Sequence, residues 1–133
     1  MHIIAGSARG MNIEVPPGLA VRPTSDRARK ALFDSLGDFS GKVVADLFSG
    51  SGAMGLEAAS RGASRVLFFD NDPRHCEFIR RNIERMSRVP DRINGELFCA
   101  DATKAHLNAP AVSPDLIFRS EERRVGKECR SRW

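Results

Sequence analysis

A glycine-rich turn between two apolar segments constrains the fold of this chain more than any other feature. Residues 43–48 are apolar except for Asp46, and a short run of this kind predicts a strand buried on both faces. The turn follows at residues 49–52, and the alanine-rich stretch 53–61 predicts a helix that stops at Gly62. A buried strand that leads through glycines into a helix is typical of the first unit of a parallel α/β sheet.

The glycines of this turn have the spacing G-x-G-x-x-G, at Gly50, Gly52 and Gly55. In that arrangement the backbone can pass close to a ligand, and the helix that follows presents unpaired N–H groups to it. The same spacing also occurs in a plain tight turn, where the glycines only let the helix pack against the strand. The spacing alone leaves a ligand site and a packing role both open.

Strand-like and helix-like segments alternate along the rest of the chain. Further strands are predicted over residues 65–70, 96–100 and 115–118, with a short helix after Asp101. Such alternation predicts a doubly wound parallel sheet of the α/β class, with the strands in the order third, second, first, fourth. Right-handed crossovers then place a ligand crevice at the carboxyl ends of the first strands.

Two of the predicted helices carry an apolar face. The helix that follows the second strand is capped by Asp72, begins at Pro73 and turns an arginine-rich face outward. An earlier helix begins at a Thr24 or Ser25 cap and ends at Gly37. The predicted apolar stripes are Ala28, Ala31, Leu32 and Leu36 on the earlier helix and Cys76, Ile79, Ile83 and Met86 on the later one, whose arginines are Arg80, Arg81, Arg85 and Arg88.

A separate segment precedes the first helix. Residues 2–15 alternate loosely between polar and apolar side chains around two glycines, and Pro16-Pro17-Gly18 closes the stretch. We expect an N-terminal arm or hairpin over residues 1–20, followed by the main domain over residues 21–118.

An aspartate stands at or near the end of each of the first three predicted strands. A carboxylate inside an apolar strand costs several kcal/mol unless it is paired or has a function. Because the carboxyl ends of parallel strands meet at one edge of the sheet, Asp46, Asp70 and Asp101 should face one crevice. Asp70 could accept hydrogen bonds from two ribose hydroxyls and Asp101 from the exocyclic amine of a purine. Asp46 could meet the amides of the glycine turn or the ammonium group of a ligand.

Two ligands suit a crevice of this kind, a nicotinamide dinucleotide and S-adenosylmethionine. In a dinucleotide site the apolar strand leads straight into its glycines, whereas here Asp46 lies four residues before Gly50. That carboxylate would repel a pyrophosphate and suits the charged amino acid end of S-adenosylmethionine. We favour S-adenosylmethionine, with an NAD(P)-dependent oxidoreductase as the alternative.

Composition bears on the remaining classes of protein. The 133 residues are 41% hydrophobic and 29% charged, which favours a globular fold, and no apolar run approaches the ~20 residues of a membrane span. The three cysteines and three histidines show no ligand spacing, so we expect neither a metal site nor a disulfide scaffold. This pattern fits a cytoplasmic protein, and a monomer is the default expectation. The net charge is +4, but residues 119–133 hold six basic and only three acidic residues, so the charge alone does not indicate binding to nucleic acid.

Several motifs together resemble one protein family. Residues 46–52 followed by residues 55–58 resemble motif I of class I methyltransferases. Two further motifs narrow the resemblance to the RsmD family: the helix start at residues 22–27, which leads into residues 31–33, and the opening at residues 3–6 and 8–10. Members of this family methylate the exocyclic N2 amine of one guanine in 16S ribosomal RNA. The resemblance covers residues 2–118 and implies a Rossmann-like class I methyltransferase fold that is incomplete, with the first four of seven strands.

The resemblance implies S-adenosyl-L-methionine as the cofactor. The glycine turn would wrap its methionine part, Asp70, where many relatives have Glu, would hold the ribose, and Asp101 would lie beside the adenine. The implied cofactor-binding residues are Thr24, Asp46, Gly50, Ser51, Gly52, Asp70, Asp101 and Ala102.

The implied partner is 16S ribosomal RNA or an assembly intermediate of the small ribosomal subunit. Arg9, Arg22 and Arg27 are the candidates to face the RNA, although arginines at such positions can also form a solvated surface. A non-enzymatic RNA-binding module, with the arm and the arginine face over residues 80–88 as its surface, remains a further alternative.

The sequence departs from the family pattern after Phe118. In the family this strand continues into Asp-Pro-Pro and an aromatic residue, which bind the guanine amine and stack on the base. Here Arg119 and Ser120 follow instead, so no catalytic residue is assigned and we expect no methyl transfer by this chain. Residues 119–133 resemble translated vector or adaptor sequence, and a solvated basic tail is the alternative.

Overall fold

The computed structural model describes residues 1–17, 26–88, 94–101 and 113–119. Within these ranges four strands form one parallel sheet in the order β3-β2-β1-β4, which confirms the predicted order. The elements are α1 (Asp26–Leu36), β1 (Val43–Leu47), α2 (Ala53–Ser60), β2 (Arg65–Asp70), α3 (Pro73–Met86), β3 (Gly95–Cys99) and β4 (Leu116–Arg119).

The two central strands are buried on both faces, as their apolar runs predict. Every residue of β1 and β2 after the first is buried. Because side chains alternate along a strand, Val44 contributes to one hydrophobic cluster and Ala45 to another. The larger cluster also holds Phe33 of α1, Leu56 of α2 and Ile79 of α3, so these helices supply one layer of the core.

The apolar stripe predicted for α1 is wrong, because this helix turns a different face inward. Its buried residues are Arg29 and Phe33. The ring of Phe33 lies 5.3 Å, centroid to centroid, from the rings of both Phe39 and Phe118. This aromatic cluster, together with the buried guanidinium of Arg29, sets the orientation of the helix. The residues of the predicted stripe, Ala28, Ala31, Leu32 and Leu36, are all exposed.

The first residues pair in a hairpin-like arm that packs on the domain. His2 and Asn12 form an antiparallel bridge, and the Ile3 N–H donates to the Met11 carbonyl at 2.9 Å. Ile3 and Ile13 are 2% exposed, so the arm contributes directly to the hydrophobic core. The expected boundary near residue 20 lies outside the described residues.

A buried carboxylate on α2 holds the arm in place. The backbone N–H groups of Ile4 and Ala5 donate to Oε1 and Oε2 of Glu57 at 2.9 and 3.1 Å. Glu57 also accepts from Nε of Arg61 at 2.9 Å and lies 3.7 Å from Nε of Arg29. Since Glu57 and Arg29 are fully buried, their charges are compensated within the protein rather than by water.

The predicted absence of a disulfide scaffold needs a correction. Cys76 in α3 and Cys99 at the end of β3 are joined in a disulfide, with their Cα atoms 5.9 Å apart. They are 23 residues apart in the sequence and meet because α3 packs against β3. The spacing of the cysteines contained no signal for this contact.

The boundaries of the last two strands differ slightly from the predictions. β3 begins one residue earlier than expected, and β4 extends through Arg119, which pairs with Leu47 of β1. Arg119 therefore belongs to the sheet rather than to the tail to which the sequence analysis assigned it. The predicted Thr24 or Ser25 cap, the short helix after Asp101 and residues 120–133 lie outside the described residues.

Candidate cofactor site

The glycine turn is held in shape by a serine that sequence analysis did not single out. Ser49 N–H donates to the Phe69 carbonyl at 2.9 Å, and Phe69 N–H donates to Ser49 Oγ at 3.2 Å. Ser49 Oγ in turn donates to the Asp46 carbonyl at 2.6 Å. These bonds tie the turn to the ends of β1 and β2. The residue before it, Phe48, adopts a positive φ of 57°, which marks the sharp exit from the strand.

The glycines of the motif serve two different purposes. A Cβ on Gly55 would lie 2.4 Å from the ring of Phe68, so this glycine lets α2 pack directly on β2. A Cβ on Gly50 would meet nothing within 4 Å, and its φ of 62° is one that glycine adopts without strain. The packing role that the spacing left open is therefore present at Gly55, whereas protein atoms leave the space beside Gly50 unfilled.

Asp46 lies beneath the turn and serves as the cap of α2. The Ncap residue of α2 is Gly52, which has no side chain to cap with, and Asp46 Oδ2 accepts a hydrogen bond from the Gly55 N–H at 3.0 Å. Of the two partners predicted for Asp46, the structure shows the backbone amide. Burial raises the pKa of Asp46 to about 8, and the nearby negative charge of Asp70 adds to this rise.

Asp70 ends β2 and joins the turn directly. Its Oδ2 accepts from the Gly50 N–H at 2.8 Å, and its Oδ1 accepts from the Asp72 N–H at 2.9 Å. Nδ1 of His75 lies 3.2 Å from both oxygens. Asp70 is 3% exposed, so these donors surround a carboxylate that is almost completely buried.

Outside the glycine turn, the remaining predicted residues that the structure describes are exposed. Asp101 follows β3 and is exposed. Arg9, on the turn of the arm, and Arg27, in the first turn of α1, are exposed as well. Three of the predicted residues, Thr24, Arg22 and Ala102, lie outside the described residues.

A buried asparagine links the site to the arm, and no motif pointed to it. Asn82 of α3 is fully buried; its Nδ2 donates to the Ser51 carbonyl at 3.3 Å and to the Glu14 carbonyl at 3.0 Å. Its Oδ1 accepts from the Glu14 N–H at 3.0 Å. The only sequence signal was a polar residue close to the apolar face of an amphipathic helix.

The described part of the chain shows neither a membrane-spanning helix nor a metal-binding cluster. None of its helices has the length and apolar character needed to cross a membrane. Among the same residues, no three His, Cys, Asp or Glu side chains gather in a way that could hold a metal ion.

The fold assigns the chain to a structural class. The solved C-terminal domain of precorrin-6Y C5,15-methyltransferase from Rhodobacter capsulatus superposes with a TM-score of 0.63 at 20% identity, covering 84% of this chain and 54% of that one. The described residues form part of a class I, Rossmann-like methyltransferase fold. A sequence profile described as conserved hypothetical protein 95 matches residues 1–119, and the chain belongs to this family, the RsmD family.

Two relatives are similar in sequence. The ribosomal RNA small subunit methyltransferase D of Escherichia coli strain K12 is 37% identical over 118 residues, which cover 86% of this chain and 59% of that protein. A solved hypothetical protein of Thermus thermophilus is 31% identical with a TM-score of 0.68, covering 82% of this chain and 60% of that one. The chain thus spans about three fifths of the length of these relatives.

Proposed function

We propose that this chain carries the cofactor-binding part of an S-adenosylmethionine-dependent methyltransferase that acts on small-subunit ribosomal RNA. The observation that carries the proposal is the acidic edge of the sheet, where Asp70 bonds to the glycine turn, Asp46 bonds to the Gly55 N–H in the first turn of α2 and Asp101 follows the next strand. The name of the Escherichia coli relative supplies the substrate class.

The residues at this edge fit S-adenosylmethionine better than a dinucleotide. The carboxylates of Asp70 and Asp101, which lie at or just after the ends of two neighbouring strands, would repel a pyrophosphate. The ammonium and sulfonium groups of S-adenosylmethionine are cationic and would favour the ionised form of Asp46, whose pKa burial raises to about 8. The open space at Gly50 leaves room for a ligand to approach the backbone. When bound, this cofactor supplies an electrophilic methyl group.

The roles proposed for the individual residues are those that the resemblance to the family implies. Gly50, Ser51 and Gly52 would contact the methionine part, and Asp70 would accept hydrogen bonds from the ribose hydroxyls. Asp101 would accept one from the adenine amine. Ala102 and Thr24 complete the proposed set of cofactor contacts.

We further propose that the complete enzyme methylates N2 of a guanine in 16S ribosomal RNA and that this chain alone does not. In the family pattern a carboxylate after β4 binds the guanine amine and turns its lone pair toward the methyl group, an orientation that accounts for much of the rate. Here Arg119 and Ser120 follow Phe118 at that point. Arg9, Arg22 and Arg27 would contact RNA phosphates and position the substrate.

Isothermal titration calorimetry with S-adenosylhomocysteine tests the cofactor proposal. We expect binding of this ligand and no binding of NAD. Asp101→Ala removes an exposed carboxylate and should raise Kd about tenfold, the loss expected for one hydrogen bond to a charged group. Glu84→Gln, also exposed and on the outer side of α3, is the matched control and should bind like the parent. Binding of NAD in place of S-adenosylhomocysteine would contradict the proposal.

Transfer of a labelled methyl group to 16S ribosomal RNA tests the proposal that the complete enzyme methylates guanine N2 and that this chain alone does not. The chain alone should transfer none. A chimera that joins residues 1–118 to the remaining part of the Escherichia coli relative should transfer methyl groups, with N2-methylguanosine as the product nucleoside. Robust transfer by the chain itself, or a different methylated nucleoside, would refute this proposal. Salt-sensitive RNA binding without any binding of S-adenosylhomocysteine would instead favour a non-enzymatic RNA-binding module.

A further inference from the structure

His75 lies in the first turn of α3, and neither the glycine turn nor the proposed reaction assigns it a role. It is 3% exposed, as is Asp70. Its Nδ1 lies 3.2 Å from both carboxylate oxygens of Asp70, and its Nε2 lies 3.5 Å from Oδ2 of Asp72. The imidazole therefore bridges the end of β2 and the cap of α3.

The described donors contact both oxygens of the Asp70 carboxylate. Its two oxygens offer about four lone-pair sites. Gly50 N–H occupies one on Oδ2, and Asp72 N–H occupies one on Oδ1. Nδ1 of His75, equidistant from the two oxygens, faces the remaining site on each. A ribose diol bound by this carboxylate needs one site on each oxygen, so it needs the position that His75 holds.

Of these three donors, only His75 can leave without disturbing the backbone. The Gly50 N–H belongs to a turn that Ser49 ties to β1 and β2. The Asp72 N–H belongs to the backbone at the cap of α3. The imidazole, by contrast, is released by rotation of its own side-chain torsions.

We propose that His75 is a latch on the cofactor site, which covers Asp70 in the free protein and is displaced by the vicinal hydroxyls of the ribose. This inference rests on the proposed function, because it takes Asp70 as the ribose-binding carboxylate. A binding-competent site that must first be uncovered binds its ligand more weakly than an open one. Removal of the latch therefore tightens binding, which is the opposite of what a residue supporting the bound state would do.

Two substitutions at this position separate the hydrogen bond from the volume of the side chain. His75→Leu fills the space but cannot donate to Asp70, so we expect Kd for S-adenosylhomocysteine to fall about tenfold in calorimetry, the equivalent of one hydrogen bond to a charged group. His75→Asn retains an N–H donor close to the position of Nδ1 and should bind within about threefold of the parent. Glu84→Gln serves again as the control on the same helix.

A measurement that leaves His75 in place covers the case in which the leucine variant does not fold. In a chain with His2→Gln and His106→Gln, the ¹⁵N signal of Nδ1 reports on His75 alone. The signal should move when S-adenosylhomocysteine is added and stay in place when its 2′,3′-dideoxy analogue is added, because that analogue lacks the diol. A signal unchanged at saturation with S-adenosylhomocysteine would overturn the latch.

The outcomes separate this inference from the proposal on which it rests. If the parent binds S-adenosylhomocysteine and His75→Leu binds it equally well or more weakly, the latch is overturned and the proposed function stays intact. No binding by the parent or by any variant would overturn both. Tighter binding by His75→Leu, together with parent-like binding by His75→Asn, is the result that supports the latch.

Discussion

At the scale of single residues, Asp46 shows how an apolar strand accommodates a carboxyl group whose charge its surroundings disfavour. Its side chain is 1% exposed and belongs to a strand whose other residues are apolar. The Ncap residue of α2 is Gly52, which has no side chain that could accept a hydrogen bond. The Gly55 N–H therefore donates to the Asp46 side chain instead. Burial raises the pKa of Asp46 to about 8, so the folded chain holds a proton on Asp46 at neutral pH.

Asp46→Asn should change the pH dependence of stability in a defined direction. The folded pKa of about 8 lies above the ordinary value of 3.8, so between these values the folded state binds a proton that the unfolded state releases. The contribution of Asp46 to stability is therefore fully present below pH 3.8 and is lost as the pH rises through about 8. Asparagine still accepts from the Gly55 N–H but does not titrate.

Urea denaturation between about pH 5 and about pH 8 measures this effect. Over that window the free energy of unfolding of the parent should fall relative to Asp46→Asn by up to ~1.4 kcal/mol per pH unit. The variant should be the more stable of the two at the alkaline end. Parallel pH profiles for the two proteins would show that Asp46 does not titrate in this range.

At the scale of elements, the N-terminal arm docks on the end of α2 through backbone contacts. Ser7 N–H donates to the Ser60 carbonyl at 2.8 Å, and Ser60 Oγ donates to the Ala5 carbonyl at 2.6 Å. Gly6 lies between these contacts with φ 90°, and a Cβ there would lie 1.9 Å from the Ser60 carbonyl oxygen. The close approach of arm and helix therefore requires glycine at this position.

Gly6→Ala should detach the arm, whereas Gly10→Ala is its matched control. Gly10 also has a positive φ, 86°, but a Cβ at that position would meet nothing within 4 Å. We expect a loss of about 1 kcal/mol for Gly10→Ala from backbone strain alone, and of about 3 kcal/mol or more for Gly6→Ala, which adds a clash with backbone. Denaturation curves give both losses, and hydrogen exchange of the Ile3 N–H reports on the arm itself. Equal losses for the two variants would show that the clash is relieved without undocking.

At the scale of the whole molecule, the sheet has an apolar edge. Within the described residues β4 pairs with β1 alone, so in this part of the chain its other side is an open edge of the sheet. Ile117 on this strand is 41% exposed. An unpaired apolar edge strand is a template for pairing with another chain, so self-association is expected to begin at β4.

Ile117→Lys should reduce self-association. A lysine on an edge strand opposes strand pairing because it would be desolvated and would face its own copy in an antiparallel contact. Leu32→Lys adds the same charge at a similarly exposed apolar residue, 39% exposed, on a helix. Sedimentation velocity over a range of concentrations should show fewer oligomers for Ile117→Lys and parent-like behaviour for Leu32→Lys. A parent that stays monodisperse at high concentration would remove the basis for this prediction.

The sequence by itself determined the order of the elements, the glycine turn and the acids at the ends of the strands. These features depend on local spacing: an apolar run of strand length, glycines at fixed intervals, a cap followed by proline. From the alternation and the handedness of crossovers, the strand order could be predicted. The expectation that Asp46, Asp70 and Asp101 face one crevice, and the cofactor-binding roles of all eight proposed residues, remain predictions.

Only the tertiary structure decided which residues meet across the chain. Three features join positions that no local pattern relates: the inward face of α1, the bond between Cys76 and Cys99, and the contact of Asn82 with Glu14. His75 is a near neighbour of Asp70 in sequence, yet its position between two carboxylates depends on how α3 leaves the sheet. Local spacing specifies elements because it acts within one turn or one strand. Contacts between elements depend on how side chains fill the space between them, and that is settled only when the layers pack.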